Sequence, residues 1–325
     1  MNRSSFAAAA CALVVLLGFC ATRTGAAASS TPGQATAQGS ENGLVARVME
    51  DVRPLLGEDR IAEAVNRINR GIRSADSEGQ VFRLRMTNIR VLLSATLQGK
   101  VKEDMLREQT EALLGETSGR RRERAYLISG KVNAALGSYD RGAELLREYL
   151  DKFPEPPAEE AEQHKESSGR THPRLLYRYL ARRMLDKVEM VGEPVPEFDV
   201  TTLDGQSRTS DSYRGKVWLL NFWRTSSEPA RRELSNLKSL KAAHGPDFAI
   251  LGLSMGEPRD TLQSFVEERS IGWDQVHLGP ASVLPNRFSV QSVPATFLMD
   301  EEGTVRAVGV RGQRLRKKVE ELLQD

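Results

Sequence analysis

The stretch Val217-Trp218-Leu219-Leu220-Asn221-Phe222 constrains this chain more than any other. Asn221 apart, it is apolar without alternation, so a strand built from it must be covered on both faces. Helical patterns at 228–240, 261–268 and 314–323 can supply that cover. Two further apolar runs, Phe248–Leu253 and Ala295–Met299, predict neighbouring strands. Val305–Val308 predicts another, joined to Ala295–Met299 by the turn Asp300-Glu301-Glu302-Gly303. The C-terminal part therefore reads as a small α/β domain with a mixed sheet.

The part before it reads differently. Ile61, Ala64, Val65, Ile68 and Ile72 recur at helical spacing. Further helices are predicted at 81–97, 103–114, 121–136 and 139–149. Each has one apolar stripe and must pack on a neighbour, which an antiparallel array or bundle achieves. Tyr126, Gly130, Gly142, Leu146 and Pro154 sit at offsets resembling one tetratricopeptide repeat, with glycine at 142 where that family usually has alanine. A repeat-like array would imply a protein-binding surface, and a plain bundle is the alternative. The expected organisation is a signal peptide over 1–27, a flexible linker over 28–42 and a helical domain over 43–153. A loop or linker over 154–173, a connecting helix over 174–191 and the α/β domain over 192–325 complete it.

The N-terminus carries an export pattern. Asn2-Arg3 is a short basic start, residues 6–21 are apolar, and Ala26 to Ala28 offer small residues for cleavage. The expectation is a periplasmic or cell-envelope protein, with secretion or anchoring through an uncleaved signal or a lipidated Cys20 left open. The only cysteines are Cys11 and Cys20, so cleavage near Ala26 leaves a chain without thiols, disulfides or cysteine metal ligands. The 46 basic residues are nearly cancelled by 44 acidic ones, for a net charge of +2. No global field points to nucleic acid, which is not an expected partner. The sequence has no phosphate-binding glycine loop, no clustered metal ligands and no serine nucleophile elbow, so no cofactor or metal is expected.

One resemblance is carried by several motifs in order. The stretch VGEPVPEFDVTTLDGQSRTSDSYRGKVWLLNFW resembles the opening of the membrane-associated thioredoxin-like reductases of the TlpA and ResA type. Gly192, Pro196 and Phe198 match its signature, Asp204-Gly205 its hairpin turn, and Gly215-Lys216 the approach to the central strand. Further on, Ser292-Val293-Pro294-Ala295-Thr296-Phe297 resembles the family loop whose proline is cis. The resemblance implies a thioredoxin-like α/β domain after the helical one. It also implies a Cys-x-x-Cys pair where this chain has Thr225-Ser226-Ser227-Glu228-Pro229-Ala230. Ser227 stands at the nucleophile position and Ala230 at the resolving one.

Disulfide exchange needs a thiolate and a second thiol, and neither position supplies one. A conventional thiol–disulfide oxidoreductase is therefore not expected, and no catalytic residue is assigned. Thr225 and Glu228 have capping-box spacing, which predicts a helix start there. The expected function is protein binding or scaffolding by a redox-silent exported protein. Its partner groove would be formed by Trp223, Arg224, Ser226, Ser227, Pro229, Val293 and Pro294. The alternative is an oxidoreductase-related protein of envelope redox homeostasis with noncanonical chemistry.

Overall fold

The computed structural model describes residues 32–324. The predicted signal peptide and both cysteines lie outside these residues. The chain forms two compact units that divide between Ser129 and Gly130. The boundary expected at residue 153 thus falls within the second unit.

The first unit is an array of helices: α1 (Pro32–Gly57), α2 (Ile61–Arg73), α3 (Glu78–Leu97), α4 (Glu103–Gly115) and the first part of α5 (Gly119–Ala135). Its core is the apolar stripe of each, with Val48, Val52, Ile68, Leu84, Ile89, Leu92 and Leu106 buried. Ser77 caps α3 by accepting from the backbone N–H of Gln80 at 3.2 Å. Helix α1 covers residues 32–42, where the sequence predicts a linker.

The second unit begins with the rest of α5, then α6 (Tyr139–Lys152), α7 (Ala158–Ser168) and α8 (Pro173–Val188). A Cβ on Gly130 would lie 2.8 Å from Leu146, and one on Gly142 would lie 3.1 Å from the Gly130 carbonyl oxygen. The two glycines let α5 and α6 approach closely. Helix α7 occupies part of the expected 154–173 linker, and it buries no residue. It has good helix formers but no apolar stripe, so hydrophobic periodicity does not reveal it. Arg178 ties α8 to the end of α6 by donating to the carbonyls of Leu150 and Phe153 at 2.6 and 2.5 Å.

The α/β part follows. A hairpin of β1 (Asp199–Thr201) and β2 (Ser207–Thr209) turns at Gly205, whose φ of 84° suits glycine. A five-stranded sheet then forms from β3 (Val217–Trp223), β4 (Phe248–Met255), β5 (Asp274–Leu278), β6 (Ala295–Met299) and β7 (Val305–Val308). Its order is β5-β4-β3-β6-β7. Strand β3 runs parallel to β4 and antiparallel to β6, so the sheet is mixed as expected. All of β3 is buried, which answers the demand for cover on both faces. Trp218, Leu220 and Phe222 enter one core layer with Phe288 and Phe297. Val217 and Leu219 enter the opposite layer, with α9 (Glu228–His244) and α12 (Gly312–Leu322). Helix α10 (Arg259–Glu268) and the short α11 (Leu284–Arg287) complete the domain.

Strand β5 is not evident in the sequence. Asp274 opens this strand and accepts from Arg208 Nε and from the Tyr213 hydroxyl, both at 2.7 Å. Burial, with the Asp274 contact adding to it, pushes the Tyr213 phenol above its ordinary range. At the opposite edge, the Tyr139 hydroxyl accepts from Val308 N at 3.1 Å and donates to Val308 O at 3.3 Å. Among the described residues no helix is long and apolar enough to cross a membrane.

Candidate binding groove

The residues expected to form a groove lie where β3 ends and β6 begins. Phe222 pairs with Ala295 across the antiparallel ladder. The segment after Trp223 and the segment before Ala295 therefore leave the sheet at the same end. This is also the carboxyl end of the parallel strands β3 and β4, where open α/β sheets place their clefts.

The β3–α9 junction is built from hydrogen bonds. Ser227 is the N-cap of α9, in extended backbone, and its hydroxyl accepts from Ala230 N at 3.4 Å. The predicted capping box between Thr225 and Glu228 does not form, because α9 starts two residues after Thr225 would require. Glu228 instead pairs with Arg231 and Arg232, at 3.1 and 3.0 Å, and both guanidiniums hold its carboxyl below the usual range. Thr225 is turned to Glu257, whose carboxylate accepts from Thr225 N at 3.0 Å and also from Thr225 Oγ1. Ser254 Oγ donates to the same carboxylate. The Glu257 carbonyl contacts His277 Nε2 at 2.6 Å. Sequence reasoning missed Glu257; the only local signal is its place just beyond an apolar strand.

The expected groove residues divide into two sets. Trp223 is in the core, 1% exposed, and its Nε1 donates to Gln275 Oε1 at 3.0 Å. Strand alternation puts it on the opposite face from Phe222, among Leu234, Leu262 and Ile271. Ala230 packs into this layer too, so its methyl faces the core. Arg224 does not project freely: its Nε donates to Met255 O at 2.8 Å. Gly256, at φ 72°, makes room for it, since a Cβ there would lie 2.7 Å from an Arg224 nitrogen. Ser226 is exposed, and Ser227, Pro229, Val293 and Pro294 are half-buried.

The Val293–Pro294 bond is cis. Among the described residues no backbone hydrogen bond reaches the N–H or C=O of Val293. Ser292 and Gln291 beside it are exposed. Val293 thus has one main-chain donor and one acceptor without a backbone partner among the described residues, at the sheet end from which the chain runs on to α9.

Residues 191–308 match the AhpC/TSA family. The thiol-disulfide oxidoreductase ResA of Geobacillus kaustophilus is 31% identical over 135 residues, covering 41% of this chain and 76% of that protein. The chain belongs to the ResA-related thioredoxin-like family. Its similarity to ResA of Geobacillus thermodenitrificans is 32% over 119 residues, covering 36% of this chain and 68% of that one. The thioredoxin-like protein YneN of Bacillus subtilis is 24% identical over 135 residues, covering 41% of this chain and 78% of that protein. Within this family frame the chain lacks a disulfide-forming cysteine pair, since Cys11 and Cys20 both precede the matched region.

Proposed function

We propose that the C-terminal unit is a binding member of an envelope thiol–disulfide pathway. It holds an extended polypeptide by main-chain hydrogen bonds and performs no disulfide exchange itself. The observation that carries this reading is that, among the described residues, no backbone hydrogen bond reaches the N–H or C=O of Val293, which precedes the strand paired with β3. Strand addition uses such main-chain groups and needs no thiol, so it outlasts the loss of both cysteines. Ser227 cannot form a disulfide, and its oxygen already serves the helix cap. A hydroxyl without an activating base is a poor nucleophile. Kinship with ResA-type proteins supports a place in a redox pathway rather than in unrelated scaffolding. Together with the export pattern at residues 2–28, it supports an envelope location.

The same kinship favours a second reading, an oxidoreductase-related protein with noncanonical chemistry centred on Ser227. Two measurements on the exported chain separate them. Reduced, alkylated insulin B chain is an extended probe with its thiols blocked. It should bind by fluorescence anisotropy, about tenfold more weakly to Val293→Pro, which removes one donor. Turbidimetric insulin reduction should stay at background. Reductase activity that disappears in Ser227→Ala would establish the second reading, and absence of probe binding would sink the first.

A further inference from the structure

Helix α8 brings two cations onto the α/β sheet. Arg183 donates from its two terminal nitrogens to Asn286 O at 3.1 Å and Pro285 O at 3.5 Å. Its Nε is buried and makes no hydrogen bond. One turn on, the Lys187 ammonium stands 5.9 Å from the centroid of the Phe297 ring. A third cation, Arg311, follows β7. Phe297 pairs with Val308, Gly309 N donates to Thr296 O at 2.8 Å, and Thr296 Oγ1 donates to Val310 O at 2.7 Å. This register carries Arg311 back toward the start of β6, where Pro294 lies.

Among the described residues no carboxylate pairs with Arg183, Lys187 or Arg311. The acid that faces Arg311 is Glu233, and it is engaged by Gly312 N at 2.9 Å and by Asn236 at 2.7 Å. All three cations keep partial solvent contact. Burial, with Arg183 and Arg311 nearby, lowers Lys187 to about 8. Like charges held half out of water oppose folding, and an anion arriving among them offsets that cost.

We propose that Arg183, Lys187 and Arg311 form a carboxylate site beside the groove, which takes an Asp or Glu side chain of the extended polypeptide docked at Val293. The inference rests on the docking function proposed above. Continuity decides the occupant: the β6–β7 register returns Arg311 toward Pro294, and Lys187 stands near Phe297 of β6, so a polypeptide paired at Val293 runs close to these cations. An acidic peptide adds charge pairing to the same main-chain contacts.

The test uses two thiol-free peptides of equal length, capped at both ends and differing only in three Glu or three Gln. Anisotropy with the exported chain should show the Glu peptide binding about tenfold tighter. Lys187→Met should bring the two affinities together while leaving the Gln peptide unchanged, and Arg183→Gln should do the same in part. Thermal melts confirm that each variant is folded. Equal binding of both peptides to the unmodified chain overturns the carboxylate site and leaves the groove reading standing. Binding of neither overturns the groove reading, and the site falls with it. If inorganic phosphate raises the melting temperature in a Lys187-dependent way while the peptides bind equally, the cluster is a free-anion site and the proposal is wrong.

Discussion

Glu257 holds the start of α9 from outside the helix. Its carboxylate accepts from the Thr225 N–H, the Thr225 hydroxyl and the Ser254 hydroxyl, while Ser227 supplies the cap itself. Removing a half-buried acceptor strands those donors, which costs more than the net value of the bonds. Glu257→Ala should destabilise the second unit by about 2–3 kcal/mol in urea titration, against about 1 kcal/mol for Ser227→Ala, which loses only a cap. Equal losses would mean that the carboxylate contributes nothing special. The sequence hid this division of labour. Thr225 and Glu228 have the spacing of a capping box, and spacing cannot say which residue turns into the helix. Glu257 lies 32 positions from Thr225, and no local pattern joins them. Trp223 was hidden differently: an aromatic residue at a strand end reads as groove wall or core, and only the sheet's register assigns its face.

At the scale of elements, the pairing of α5 and α6 depends on absent side chains. Helix propensity alone favours alanine over glycine by about 1 kcal/mol. At Gly130 the gain is outweighed, because the new Cβ would sit 2.8 Å from Leu146. Overpacking of that kind costs about 1–3 kcal/mol, so Gly130→Ala should lower the stability of the second unit by about 1–2 kcal/mol. A stabilised variant in thermal melts would show that Leu146 yields without cost. Most elements were legible. The stripe from Ile61 to Ile72 became α2, and the run from Val217 became the fully buried β3. Strand β5 was not, because Asp274-Gln275-Val276-His277-Leu278 is too polar to read as a strand, and partners from the β1–β2 region satisfy it. Helices α1 and α7 lie where polar composition suggests linkers. The lack of a cysteine pair in a ResA-related frame was legible because the surrounding motifs kept their order, whereas the cations of α8 were not, because their placement depends on β6 and β7.

At the scale of the whole molecule, pH reports on half-buried lysines. Lys131 and Lys187 are each lowered to about 8 by burial, with Arg183 and Arg311 adding to the effect at Lys187. In the unfolded chain a lysine titrates near 10.4. Below about pH 8 both states carry these protons, and the folded state bears the full penalty. Above it the unfolded chain holds more protons, so stability rises with pH. The slope is at most about 1.4 kcal/mol per pH unit for each lysine, and Tyr139 and Tyr213, both raised, oppose it above about pH 10. Urea midpoints should therefore increase between pH 8 and 9.5, and less so in Lys187→Met. A flat profile in the unmodified chain would show that neither lysine is held as described. The Tyr139 phenol carries a further consequence. It answers both main-chain groups of Val308 from a position 169 residues earlier, outside the residues 191–308 that match the AhpC/TSA family. A fragment cut where the family likeness begins would keep its sheet and lose that cover, leaving a bare lateral margin open to self-association. The boundary drawn by ancestry and the boundary drawn by solubility are different lines in this protein.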